Sequence, residues 1–138
     1  VKELNLAIID ASKAISLDPD LATAYANRAE AHLRSNNLSK AVEDSSSALS
    51  RDSSLLGARV SRAISYLGLE EYPEAFEDAN IVLTQIADYP EALFVRGASQ
   101  LWITGGEKGR DDLRKVVELS DKRSLVEAAG SMLSFYDK

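Results

Sequence analysis

Three arginine–aspartate pairs are the residues of this sequence best placed to do charge chemistry. Arg28 is followed by Asp44, Arg62 by Asp78 and Arg96 by Asp112, each at the same distance. A guanidinium beside a carboxylate makes a strong, two-bonded ion pair. Catalysis would need one special pair, whereas one copy per repeat marks a structural ladder. The ladder can run within a repeat or between neighbours. His32, the one histidine, has the chemistry of a base, a metal ligand or a pH switch. Its counterparts further along are Tyr66 and Gln100, so it is expected on an ordinary helix surface. The acid pairs Glu43-Asp44, Glu77-Asp78 and Asp111-Asp112 recur in the same helical setting, which points to a solvated face rather than a metal. The stretch GGEKGR at Gly105–Arg110 lacks the spaced Gly-Lys-Ser/Thr of a phosphate loop and sits where a turn is needed. Ser45, Ser46 and Ser47 offer hydroxyls for modification. No metal, no cofactor and no catalytic residue is expected.

The elements that position these residues repeat every 34 residues. Ala24 falls on Ala58 and Ala92, Ala29 on Ala63 and Gly97, and Leu33 on Leu67 and Leu101. In the second half of the unit Ala7 falls on Ala41, Ala75 and Gly109, and Asp10 on Asp44, Asp78 and Asp112. Ala14 falls on Ala48, Val82 and Val116, and Ile15 on Leu49, Leu83 and Val117. The periodicity sets a half unit at 1–21, full units at 22–55, 56–89 and 90–123, and a last segment at 124–138. Each full unit reads as two helices joined by a turn, at Ser35–Asn37, Gly68–Glu71 and Thr104–Gly106. The second helices are expected to begin near Ser39, Pro73 and Glu107. The small residues at Ala29, Ala63 and Gly97, matched by Ala41, Ala75 and Gly109, are expected where two helices approach closely.

Composition agrees. The 138 residues are 45% hydrophobic, with only 7 Gly and 3 Pro, a balance that favours packed helix. The net charge of −6 disfavours nucleic acid and anionic membranes as partners. The absence of cysteine excludes disulfides and thiolate chemistry. With no signal peptide and no long apolar run, a cytoplasmic, non-membrane protein is expected. The helical pattern has begun by Leu4, as in a fragment of a longer chain.

The period, the small residues at Ala29/Ala63/Gly97, Ala41/Ala75/Gly109 and Ala48/Val82/Val116, and Asp18-Pro19 after the first helix together resemble the tetratricopeptide repeat (TPR) family. Arg59 stands where that family often has an aromatic, and Ser53 where it often has proline. The resemblance implies an all-α, right-handed solenoid of antiparallel helix pairs with a capping helix at 124–138. It also implies a concave groove lined by the first helix of each pair. The face beside the packing stripe offers Ala26, Asn27, Glu30 and Arg34, then Val60, Ser61, Ile64 and Gly68, then Phe94, Val95, Ala98 and Trp102. Trp102 is weighed slightly toward the core, covered through Leu133, Phe135 or Tyr136. The stretch at Tyr25–Ala29 is similar to TPR domains that grip acidic chaperone tails. The basic residues that grip needs would fall on Gly57 and Ser61, so the clamp is incomplete. The function implied is a non-enzymatic module that binds a protein or peptide. The alternative is a scaffold that packs on its own longer chain or self-associates through the half repeat.

Overall fold

The computed structural model describes residues 1–137. Lys138, the last position of the expected capping segment, lies outside them. The described residues form eight helices and no strand: α1 (Lys2–Leu17), α2 (Ala22–Arg34), α3 (Leu38–Arg51), α4 (Leu56–Gly68), α5 (Tyr72–Gln85), α6 (Pro90–Thr104), α7 (Glu107–Leu119) and α8 (Arg123–Tyr136). The fold is all-α. The starts of α2, α4 and α6 follow the sequence period, and α3, α5 and α7 begin within a residue of expectation.

Backbone chemistry explains the register. The helices α1 and α3 end on Asp18 and Asp52 in extended conformation. Asp18 Oδ1 accepts the Asp20 N–H at 3.1 Å, and Asp52 Oδ1 accepts the Ser54 N–H at 3.0 Å. Each is a side chain competing for the backbone to make a turn. Ser120 Oγ does the same for the Lys122 N–H at 3.2 Å after α7. The turns inside the repeats use left-handed residues instead: Asn36 at φ 59°, Glu70 at φ 61° and Gly105 at φ 65°. The third of these differs in detail. There α6 runs on to Thr104, and only Gly105 and Gly106 separate it from α7.

The chain divides into two compact units, Val1–Leu69 and Glu70–Lys138. The division falls inside the sequence repeat 56–89, with α4 in the first unit and α5 in the second.

In the first unit α2 and α3 form a hairpin, α1 lies on α2, and α4 packs on α3 and α2. Its core is mostly alanine: Ala24, Ala29, Ala41, Ala48, Ala58 and Ala63 are all buried. Small side chains let helices close in, but each hides little apolar area. Tyr25, Ala26 and Leu55 thicken the core around Ala48, Leu49 and Ala58. The Tyr25 hydroxyl and Arg51 Nε both donate to the Pro19 carbonyl, at 3.0 and 2.9 Å. The Arg51 guanidinium lies 4.3 Å from the Tyr25 ring centroid, a cation–π contact. One period later Arg59 holds the slot of Tyr25 and Ser53 that of Pro19. Arg59 Nη2 donates to the Ser53 carbonyl at 3.3 Å, so the two departures from the family pattern keep the bond.

In the second unit α6 and α7 form the hairpin, with α5 on α6 and α8 on α7 and α6. Larger side chains fill it: Leu93, Leu113, Val82, Val95 and Val116 are wholly buried. Gly97 and Gly109 face each other so closely that a Cβ on either would lie 2.7 or 2.8 Å from the other's carbonyl oxygen. The Lys122 ammonium bonds the Glu91 carboxylate and ties the start of α8 to α6.

Candidate functional site

The arginine ladder resolves into a two-sided arrangement. Arg28 Nε donates to Asp44 Oδ2 at 2.7 Å and Nη2 to Oδ1 at 2.8 Å. Its third nitrogen, Nη1, donates to Ser12 Oγ on α1 at 3.2 Å. In the second unit Arg96 repeats the pattern on Asp112, at 2.7 and 2.9 Å, and its Nη1 donates to Asn80 Oδ1 on α5 at 2.9 Å. Arg62 Nη1 donates to Ser46 Oγ at 3.2 Å. Ser12, Ser46 and Asn80 are one slot in the repeat. Arg28 and Arg96 thus each bond a carboxylate of their own hairpin and a polar group on the helix before it. Arg62 and Asp78 fall in different units. The bonded Asp44 and Asp112 hold the guanidinium groups of Arg28 and Arg96 above their ordinary pKa. With Asp44 and Asp112 buried, these pairs tie the two helices of each hairpin together.

His32 corrects the expectation of a surface residue. It is buried, because it lies under Arg28 and Asp44, with Nε2 3.7 Å from Asp44 Oδ2. Burial pushes the imidazole below its ordinary value, while the Asp44 carboxylate opposes the shift and Lys40 adds to it. The sign of the pH effect follows. The unfolded imidazole takes up a proton near 6.5 and the folded one resists it, so the unfolded state binds more protons in acid. Stability contributed by neutral His32 is complete above that value and falls as pH drops through it. His32→Gln, which installs the residue of the Gln100 slot, should flatten the fall. Urea midpoints at about pH 7.5 and 5.5 check this; equal slopes for both proteins contradict it.

The other site residues separate into surface and interior. Asn27, Glu30 and Arg34 are exposed, Ile64 and Phe94 half-buried. Val95 is only 1% exposed and Val60 7%, so both are core side chains rather than groove lining, because their helix faces turn inward. Trp102 departs the other way. It is 60% exposed and stacks on Tyr72, with ring centroids 5.5 Å apart and planes 7° from parallel. The aromatic neighbours on α8 do not cover it, and Phe135 is itself exposed.

What the first unit does bring together is a cleft of about 300 Å³ between α2 and α4. Ala26, Asn27 and Glu30 of α2 line it with Gly57, Ala58 and Ser61 of α4, and Leu55 and Leu56 complete the lining. Asn27, Glu30 and Ser61 were legible from their helix face. The contribution of Ser54 and Leu55 was not, because it depends on how the connection before α4 folds over. Arg34, Ile64, Phe94 and Trp102 have no part in this cleft. The chemistry available is an amide, a carboxylate and a hydroxyl around small apolar surfaces. That set suits hydrogen bonds to a peptide backbone and shallow side-chain pockets. No group of three or more His, Cys, Asp or Glu able to hold a metal occurs among the described residues. No helix among them is long and apolar enough to cross a membrane.

Neither protein-family models nor the curated proteins match this chain. Solved structures do. A tetratricopeptide repeat protein from Parabacteroides merdae aligns with 99% of this chain and 54% of its own, at 22% identity and a TM-score of 0.76. The second TPR domain of human RPAP3, solved in complex with the HSP70 peptide SGPTIEEVD, aligns with 85% of this chain and 95% of its own, at 20% identity and a TM-score of 0.70. The first TPR of Spaghetti (RPAP3), bound to the HSP90 peptide SRMEEVD, covers 82% and 93%, at 18% identity and a TM-score of 0.67. The period, the hairpins and these superpositions converge: this chain has the tetratricopeptide repeat fold.

Proposed function

We propose that this chain is a non-enzymatic protein-interaction module that takes an extended peptide in the cleft between α2 and α4. The observation that carries the reading is the cleft itself: an exposed amide at Asn27, small residues at Gly57, Ala58 and Ser61, and apolar side chains at Leu55 and Leu56. Two solved neighbours of the same fold hold chaperone peptides, which supports peptide binding as the general use of the architecture. An acidic tail is the poorer ligand here. The cleft carries Glu30 and no lysine or arginine in its lining. Arg59 donates to the Ser53 carbonyl and Arg62 to the Ser46 hydroxyl. A neutral or basic peptide with a small apolar anchor fits the charge better.

The test uses Gly57, where an added Cβ would meet nothing within 4 Å. Gly57→Trp places a large side chain in the cleft at a position with room for its first carbon. Peptides selected from a displayed library on the wild type should bind Gly57→Trp at least about tenfold more weakly, the cost of losing a central contact, with an unchanged circular dichroism spectrum. Selection of peptides that bind both proteins equally, or of acidic C-terminal tails, would count against the reading.

A further inference from the structure

A second cleft, of about 380 Å³, lies in the second unit, where α5 and α7 both pack on α6. Phe76 and Asn80 of α5, Gln100 of α6 and Lys108, Asp111 and Lys115 of α7 line it together with the Arg96–Asp112 fork. Its hydrogen-bonding capacity is one-sided. Both Asp112 oxygens accept from Arg96, Asp111 Oδ1 accepts from Arg114 Nη1 at 3.1 Å, and Asn80 Oδ1 accepts from Arg96 Nη1 at 2.9 Å. The acceptors are thus mostly engaged by arginines. The donors are left over: the amide N–H groups of Asn80 and two ammonium groups. Lys108 and Lys115 are exposed, and neither has an ion-pair or hydrogen-bond partner among the described residues. Seven residues apart, they share one face of α7 and lie about 10 Å from each other along its axis.

The first unit carries the corresponding cleft two repeats earlier. It measures about 320 Å³ and has Ser12, His32, Lys40 and Glu43 in the slots of Asn80, Gln100, Lys108 and Asp111. It holds one lysine, because Ser47 takes the slot of Lys115. The cleft therefore belongs to the repeat, and the second ammonium is what sets this copy apart. On a chain of net charge −6, two uncompensated cations in one cleft are a local exception. We propose that the cleft of the second unit binds a phosphomonoester. The phosphate group sits between Lys108 and Lys115, with Asn80 donating a further hydrogen bond. The organic body of the ester rests on Phe76, which is half-buried in the lining. A phosphomonoester brings about two negative charges and three acceptor oxygens, which matches two ammonium groups and a lining rich in donors. A carboxylate brings a single charge and leaves one ammonium uncompensated.

The probe is phenyl phosphate, titrated by NMR against the whole chain, isotopically labelled, at about pH 7.5, where the ester is doubly charged. Saturable shifts centred on Asn80, Lys108 and Lys115 are expected. Lys108→Gln/Lys115→Gln should weaken binding at least about tenfold with an unchanged circular dichroism spectrum, and each single variant by less. Lys40→Gln, which removes the one lysine of the first-unit cleft, should bind as the wild type does. Benzoate has the same ring and one charge, and inorganic phosphate has the charge and no ring. Each should bind at least about fivefold more weakly than phenyl phosphate. A phosphotyrosine flanked by glycines identifies the source of the ester. Tighter binding than phenyl phosphate points to a phosphorylated segment of a protein, weaker binding to a free small ester, and either upholds the site. No saturable binding of phenyl phosphate, or shifts centred elsewhere, overturns the proposal. So does equal affinity for benzoate or for inorganic phosphate, or a double variant that binds like the wild type.

Discussion

Gly97→Val should lower the stability of the chain by about 3 kcal/mol, or roughly 10 °C in melting temperature. At Gly97 the first added carbon already lies 2.7 Å from the Gly109 carbonyl oxygen, 3.0 Å from Leu113 Cγ and 3.1 Å from Asp112 Cβ. The oxygen is backbone and cannot swing aside, so α6 and α7 must separate. Separation would loosen the wholly buried Leu93, Leu113 and Val116 and stretch the Arg96–Asp112 fork, whose two bonds are 2.7 and 2.9 Å. Valine adds two methyl groups to that first clash, along with its poorer helix propensity relative to alanine. A control sits in the same unit. Gly130 on α8 would meet nothing within 4 Å of an added Cβ, and Gly130→Ala should raise stability by about 0.5–1 kcal/mol through backbone entropy. Urea denaturation of the two variants checks both signs. A Gly97→Val protein as stable as the wild type would mean that the hairpin does not depend on this crossing.

The second large effect is expected at Asp112. Asp112→Asn should cost about 2–3 kcal/mol, because the amide cannot match the two-bonded carboxylate and leaves the Arg96 cation poorly compensated beside the core. Arg96 is three-quarters buried at its side chain and Asp112 almost fully. Asn80 supplies one further bond to the guanidinium but no charge. Changing both partners together, as Arg96→Met/Asp112→Leu, should recover most of the loss, since no uncompensated charge remains. The exposed pair Arg123–Glu127, with side chains 91% and 63% accessible, provides the contrast: Glu127→Gln should change stability by less than about 0.5 kcal/mol. Guanidinium chloride would screen these charges, so urea is the denaturant of choice. Additive losses in the double variant would show that the fork contributes nothing beyond its separate halves.

The fold was readable because its signal is repeated. Each of Ala29, Ala63 and Gly97 is a weak hint alone, but the same spacing in three places leaves one explanation, and the structure puts all three in the interior. The carboxylate half of the ladder was readable for the same reason. Its other half was not. Ser12, Ser46 and Asn80 share a slot but not a chemical type, so nothing in the sequence marks them as acceptors for arginine. His32 misled because its counterparts are tyrosine and glutamine, residues at home in water. In the structure those counterparts are themselves half-buried, and His32 lies beside the Arg28–Asp44 fork. Trp102 misled in the opposite sense. Its size argues for a core, but it lies near the end of α6, in the helix that runs on past the length of α2 and α4. The groove residues were only partly legible, since helical spacing assigns a face and cannot say how deeply that face turns inward at Val60 or Val95.

Trp102 is the sole indole of the chain, and its position in the second unit makes it a natural reporter. A solvated ring stacked on Tyr72 emits from a polar setting, and melting of the α5–α6 contact would release it from that quencher. Fluorescence therefore follows the second unit with no label attached.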